Sequence, residues 1–105
     1  MAIPLQISYR DIVQQDALER LITDEVGKLE RYFPRIVNCR VHVEHVHGRR
    51  GSAPPYHLRI VLDVPGQEIV TNHSGGHASL ASAAVHGAFK KAKRQLQEYA
   101  RLIAS

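Results

Sequence analysis

The chain has 105 residues, 44% of them hydrophobic, which is enough for one domain with one modest core and too few for two. No apolar run reaches bilayer-spanning length, the first ten residues lack the basic-then-apolar order of a secretory signal, and the lone Cys39 excludes an intrachain disulfide. The formal net charge of +4 is unevenly placed: residues 1–76 balance, and the excess falls where Lys90, Lys91, Lys93, Arg94 and Arg101 face Glu98 alone. Such asymmetry points to a polyanionic partner, nucleic acid or an anionic membrane.

Ile3, Leu5, Ile7 and Tyr9 alternate with polar residues and Pro4, the period of a strand. Pro4 cannot donate to a ladder, so this strand belongs at a sheet edge. From Asp16 to Phe33 the period becomes helical, with Leu18, Ile22, Val26, Leu29 and Phe33 on one stripe and Arg20, Asp24, Lys28 and Arg31 opposite. Asp16 suits the positive end of the helix dipole, and Pro34 ends the helix. Val37, Cys39, Val41 and Val43 predict a second strand, with Cys39 as a buried thiol. "HGRRGSAPP" reads as a loop. Leu58, Ile60, Leu62 and Val64 predict a third strand, with His57, Arg59, Val61 and Asp63 on its other face. "VPGQE" is a turn, "EIVTNH" a short fourth strand, and "SGGHAS" a second loop.

The last helix is expected from about Ser79 to Ile103. Its inward stripe is Ala81, Val85, Ala88, Ala92, Leu96, Tyr99 and Ile103, and its small residues allow a close approach to a sheet. Lys90, Arg94, Gln97 and Arg101 recur at spacings of four, three and four on the far side, flanked by Lys91 and Lys93. The order β-α-β-β-β-α predicts an α+β fold, a four-stranded sheet with both helices packed on one face. The first crossover is expected to be right-handed, and the second to fourth strands to form an antiparallel meander.

Chemistry finds little support in the spacing of residues. There is no glycine-rich phosphate loop before a helix, no nucleophile elbow and no paired carboxylates, so no catalytic residues are assigned. Glu25 and Glu30 read as solvated acids beside the first helix stripe. "HVEHVH" puts His45 and His47 on one side of a strand, and His73 and His77 flank "SGG", but a closed zinc site needs about four ligands. No metal or other cofactor is assigned. A histidine-based metal-binding stress protein is the alternative from another functional class.

A helix ridge of Lys90, Arg94 and Arg101 meets the needs of phosphate binding, and Lys28 and Arg31 extend it if the helices lie side by side. The sheet carries no evident stacking pair of the kind common single-strand readers use. The expected mode is backbone and shape recognition of structured RNA. Membrane binding is disfavoured because the apolar stripes are needed for the core.

These segments resemble, in order, the ribosome hibernation-promoting factors and ribosome-associated translation inhibitors, also called ribosomal subunit interface proteins. "IPLQISYRDI" is similar to that family's first strand and "DALERLITDEVGKLERYFPRI" to its first helix, with the "KLERYF" ending. "CRVHVE", "YHLRIVLDVPGQEIV" and "AFKKAKRQLQEYAR" follow in order. The resemblance implies a fold akin to double-stranded-RNA-binding domains. It also implies binding to small-subunit rRNA in the channel for messenger and transfer RNA, with silencing of idle ribosomes in stress or stationary phase. It carries Lys28, Arg31, Lys91 and Arg94 over as RNA-binding positions. Lys90, Lys93 and Arg101 join them through the helix wheel.

Two places depart from the family pattern: Leu80 and Ser82 stand where an Asp and a Tyr are common, and "NHSGGHASL" fits poorly. The expectation is a single ribosome-binding domain over 1–105 of the short form, without a dimerisation domain. It should be cytoplasmic, monomeric when free, and have neither a membrane nor a small-molecule substrate as partner. A double-stranded RNA binder with no ribosomal role is the second alternative.

Overall fold

A computed structural model describes residues 3–45, 56–74 and 81–104. The elements are β1 (Leu5–Arg10), α1 (Asp16–Tyr32), β2 (Asn38–His45), β3 (Tyr56–Val64), β4 (Gln67–Ser74) and α2 (Ala81–Ala104). The sheet order is β1-β2-β3-β4, with β1 parallel to β2 and the other pairs antiparallel. The α+β order and the meander are those expected, and β1, with Pro4 before it, lies at an edge.

Both helices cover one face of the sheet. Leu18, Ile22, Val26 and Leu29 of α1 share a single core with Cys39, Val41 and Val43 of β2 and with Leu58, Ile60 and Leu62 of β3. The α2 contribution, Ala84, Val85, Ala88, Phe89, Ala92, Leu96 and Tyr99, belongs to the same core. Cys39 is buried, and desolvation, with Asp63 nearby, pushes its thiol up to about 12. It is a packing group, not a nucleophile.

Helix ends follow the local chemistry. Gln15 caps α1 without a side-chain hydrogen bond, and its carbonyl accepts the Glu19 amide at 3.0 Å. The Phe33 amide closes the other end on the Leu29 carbonyl at 2.8 Å, directly before Pro34. Pro65 and Gly66 make the β3–β4 turn, and Gly66 takes the positive φ of 87° that such a turn needs. The Tyr99 hydroxyl donates to the Pro65 carbonyl at 2.6 Å and ties α2 to that turn.

Four details differ from the expected pattern. Val37 precedes β2, and its side chain is exposed although its amide already donates to the Asp63 carbonyl of β3 at 2.7 Å. Ile103 is also exposed, since α2 is longer than α1 and nothing of α1 remains to cover its last turn. Ala84 and Phe89 are buried although off the expected stripe, because α2 packs on α1 as well as on the sheet. Val61 is buried on the open face of the sheet. Its cover is Arg40, which starts on β2 and reaches Asp63 on β3 at 3.5 Å and Glu68 on β4 at 2.9 Å, so its stem crosses β3.

Candidate nucleic-acid interface

The outward face of α2 is basic because its sequence puts small or apolar residues wherever the helix meets the core and cations at the positions between. Lys90, Arg94, Gln97 and Arg101 are all exposed. The line from Lys90 to Arg101 is about 16 Å long at the rise of an α-helix. Arg94 has no ion pair or hydrogen bond among the described residues. Arg101 is held by Glu98, one turn back, through a contact at 3.3 Å and a shorter one. That hydrogen bond and the guanidinium charge lower the Glu98 carboxyl below its ordinary range.

The two flanking lysines turn to opposite sides. Lys93 reaches toward α1, where its Nζ lies 5.1 Å from the centroid of the half-exposed Tyr32 ring. Lys91 reaches toward β4 and donates to the Asn72 carbonyl at 2.7 Å. It therefore bridges helix and sheet, and its ammonium is partly committed.

Between the helices runs a groove of about 340 Å³, floored by Leu29 and Phe89 and rimmed by Lys28, His86, Lys90 and Lys93. Glu25 is its one acid. Its side chain is only 12% exposed, 3.1 Å from the Lys28 ammonium and 3.5 Å from His86 Nδ1. Glu25 is therefore a half-buried organiser of the rim rather than a solvated acid. Arg31 continues the α1 side and is exposed.

The structure brings Lys28, Lys90 and Lys93 to one groove, runs Arg94 and Arg101 beyond it, and sets Lys91 on the β4 side. His86 and Tyr32 were not singled out from the sequence. His86 stands four residues before Lys90 and seven before Lys93, so extending the same helix wheel by one turn finds it. Tyr32 carries no such signal, because its role depends on how the helices pair.

The histidine pairs separate. His45 is half-buried against Tyr56, ring centroids 4.7 Å apart, whereas His47 and His77, and with them most of "NHSGGHASL", lie outside the described residues. His73 points to α2, where a Cβ on Gly87 would come within 2.5 Å of its Nε2. Desolvation, then the Lys91 ammonium, then His57 hold His73 below its ordinary value. Among the described residues no group of three or more His, Cys, Asp or Glu side chains is arranged to hold a metal ion. Among them, too, no helix is long and apolar enough to cross a membrane.

Comparison with curated protein sequences finds no match. Solved structures do match. A ribosomal subunit interface protein from Coxiella burnetii superposes with a TM-score of 0.77 at 14% identity, over 94% of this chain and 99% of that one. The N-terminal domain of Protein Y from Thermus thermophilus gives 0.69 at 19% identity, over 94% and 99%. At such identities the likeness is one of fold. The sequence profile described as Sigma 54 modulation protein / S30EA ribosomal protein matches residues 5–103, nearly the whole chain. The chain belongs to this family, Ribosomal_S30AE, a non-enzymatic, ribosome-associated one.

Proposed function

We propose that the protein is a hibernation factor that binds small-subunit rRNA in the channel for messenger and transfer RNA and so silences translation. The observation that carries this reading is the cation line of α2, where five cations stand against Glu98 alone, continuous with the inter-helix groove, on a domain of a ribosome-associated family. Phosphate contacts by Lys and Arg supply most of the affinity in such complexes and position the protein without reading sequence. Lys28, Arg31, Lys90, Lys93, Arg94 and Arg101 contact phosphates, and Lys91 contributes less because it is committed to Asn72. The domain works as one unit over residues 1–105, in the cytoplasm where ribosomes are, under stress or in stationary phase. It is monomeric when free, and its partner is the ribosomal subunit rather than a small molecule.

Sedimentation of a lysate through a sucrose gradient tests the reading. The protein should travel with small subunits and whole ribosomes and leave them as salt is raised. Protein found wholly in the free fraction at low salt would overturn it.

A further inference from the structure

The face of the sheet turned away from the helices has its own chemistry. Register places Ser8, His42, Arg59 and Asn72 side by side in one row across all four strands. The row is about 14 Å wide at the usual strand spacing. The next row is Arg10, Glu44, His57 and Ser74. All of these but Ser74 line an open groove of about 550 Å³, the larger counterpart of the groove between the helices.

The three arginines of this face behave differently. Arg40 is paired with both Asp63 and Glu68 through one terminal nitrogen. Arg10 and Arg59 make no ion pair or hydrogen bond among the described residues. His42 and Arg59 are direct cross-strand neighbours on the two central strands, and both are exposed. The groove thus offers two free guanidinium groups, two imidazoles, an amide and hydroxyls against one carboxylate, Glu44. That donor excess fits an anionic ligand. The planar His42 and Arg59 groups fit unstacked bases, which stack on imidazole and guanidinium planes as well as on larger aromatics. A flat, shallow groove of this width suits one strand, not a duplex.

We infer that the open face of the sheet is a second RNA-binding surface, which takes a short unpaired segment through the His42–Arg59 pair, with Arg10 and Asn72 on the flanking strands. The surface is separate from the basic helix face, and the inference stands whether or not that face binds rRNA. Together the two surfaces let one small domain hold RNA on opposite sides.

The test is a titration of the isotopically labelled protein with an eight-nucleotide uridine RNA, followed by backbone amide resonances. Saturable shifts are expected at residues 40–44, 57–61 and 70–73. A His42→Thr/Arg59→Thr variant removes both planar groups from exposed positions and keeps strand propensity. It should bind at the sheet about fivefold or more weakly, the loss of one base stack, with a native spectrum otherwise. Replacing Lys90, Lys93 and Arg94 by Gln should leave the sheet shifts in place. Shifts confined to α1 and α2 would overturn the inference, as would sheet shifts that survive in the double variant. Uridine monophosphate producing the same shifts with equal affinity would also overturn it, by making the groove a mononucleotide site.

Discussion

The first helix reaches the core with large side chains, Leu18, Ile22, Val26 and Leu29, whereas the second reaches it through Ala84, Ala88 and Ala92 set around Val85 and Leu96. The first therefore stands off from the sheet, and the second lies close over β3 and β4. Their outer faces differ as well. The first carries five carboxylates, Asp16, Glu19, Asp24, Glu25 and Glu30, against Arg20, Lys28 and Arg31, while the second carries Glu98 alone against five cations. The contrast teaches that two helices can share one core and divide the remaining work. The first has more acids than bases and serves mainly the core, and the second presents the positive field. Small core residues make that division workable, because a helix seated close to the sheet can be long, and its outer face is then a long exposed ridge.

The largest expected effect would break the structural half of the comparison. Leu29 is 3% exposed beneath the inter-helix groove, so Leu29→Asp puts a carboxylate into the helix-sheet core in place of an apolar side chain. The cost should be several kcal/mol, against a usual total of about 5–15. Loss of the cooperative thermal transition, followed by circular dichroism, is the expected readout. A midpoint unchanged from the parent would mean that α1 does not seal the core.

The next would break the electrostatic half. Replacing Lys90, Lys93, Arg94 and Arg101 by Gln should preserve the fold, since all four are exposed and Gln is a good helix former. Affinity for small subunits should fall steeply, and the slope of log affinity on log salt should flatten by roughly one unit for each phosphate no longer neutralised. The matched α1 variant, with Arg20, Lys28 and Arg31 changed to Gln, should do much less, because Lys28 is already paired with Glu25. Equal losses from the two variants would erase the distinction between the helices.

Much of this was legible in the sequence, and the remainder was hidden for identifiable reasons. Periodicity is local, so α1, the alternation of β2 and β3 and the exposure of Lys90, Arg94 and Arg101 could all be read directly. Burial that depends on a distant partner could not. Val61 is covered by an arginine reaching from another strand, Phe89 is buried by α1, and Ile103 is exposed because α1 stops short. For the same reason Lys93 and Lys91 looked equivalent, although Tyr32 holds one and Asn72 the other. The outer rows of the sheet depend on register, which fixes Arg59 beside His42 and which no single strand reveals.

A smaller effect sharpens the claim that α2 sits close to the sheet. At Gly87 a Cβ would meet His73 Nε2 at 2.5 Å and Cε1 at 2.9 Å. Gly→Ala in a helix interior usually gains about 1 kcal/mol. Here the gain should be cancelled in the parent, because the imidazole must move, and recovered in a His73→Ala background. A double-mutant cycle should therefore give a coupling on the order of 1 kcal/mol. Additive effects would mean that helix and strand are further apart than Gly87 and His73 require.

The smallest effect concerns the same pair of elements and its sign with pH. Desolvation against α2 and the nearby Lys91 ammonium hold the His73 imidazole below its ordinary value of 6.5. In the unfolded chain that shift is absent. Above about pH 6.5 both states carry His73 neutral, and the residue costs nothing. As pH falls through that value the unfolded state takes up the proton first, so unfolding gains free energy and stability declines. The decline ends once pH drops below the lowered native value, where both states are protonated. Thermal midpoints of the parent should therefore fall between about pH 7 and pH 5 by more than those of His73→Gln, which removes the titration and keeps a polar side chain. The charged and titratable groups acting on His73 are Lys91 of α2 and His57 of β3, so the difference belongs to the α2 side of the molecule. Parallel pH profiles for the two proteins would show that His73 titrates alike in both states and that the seam between β4 and α2 is wet.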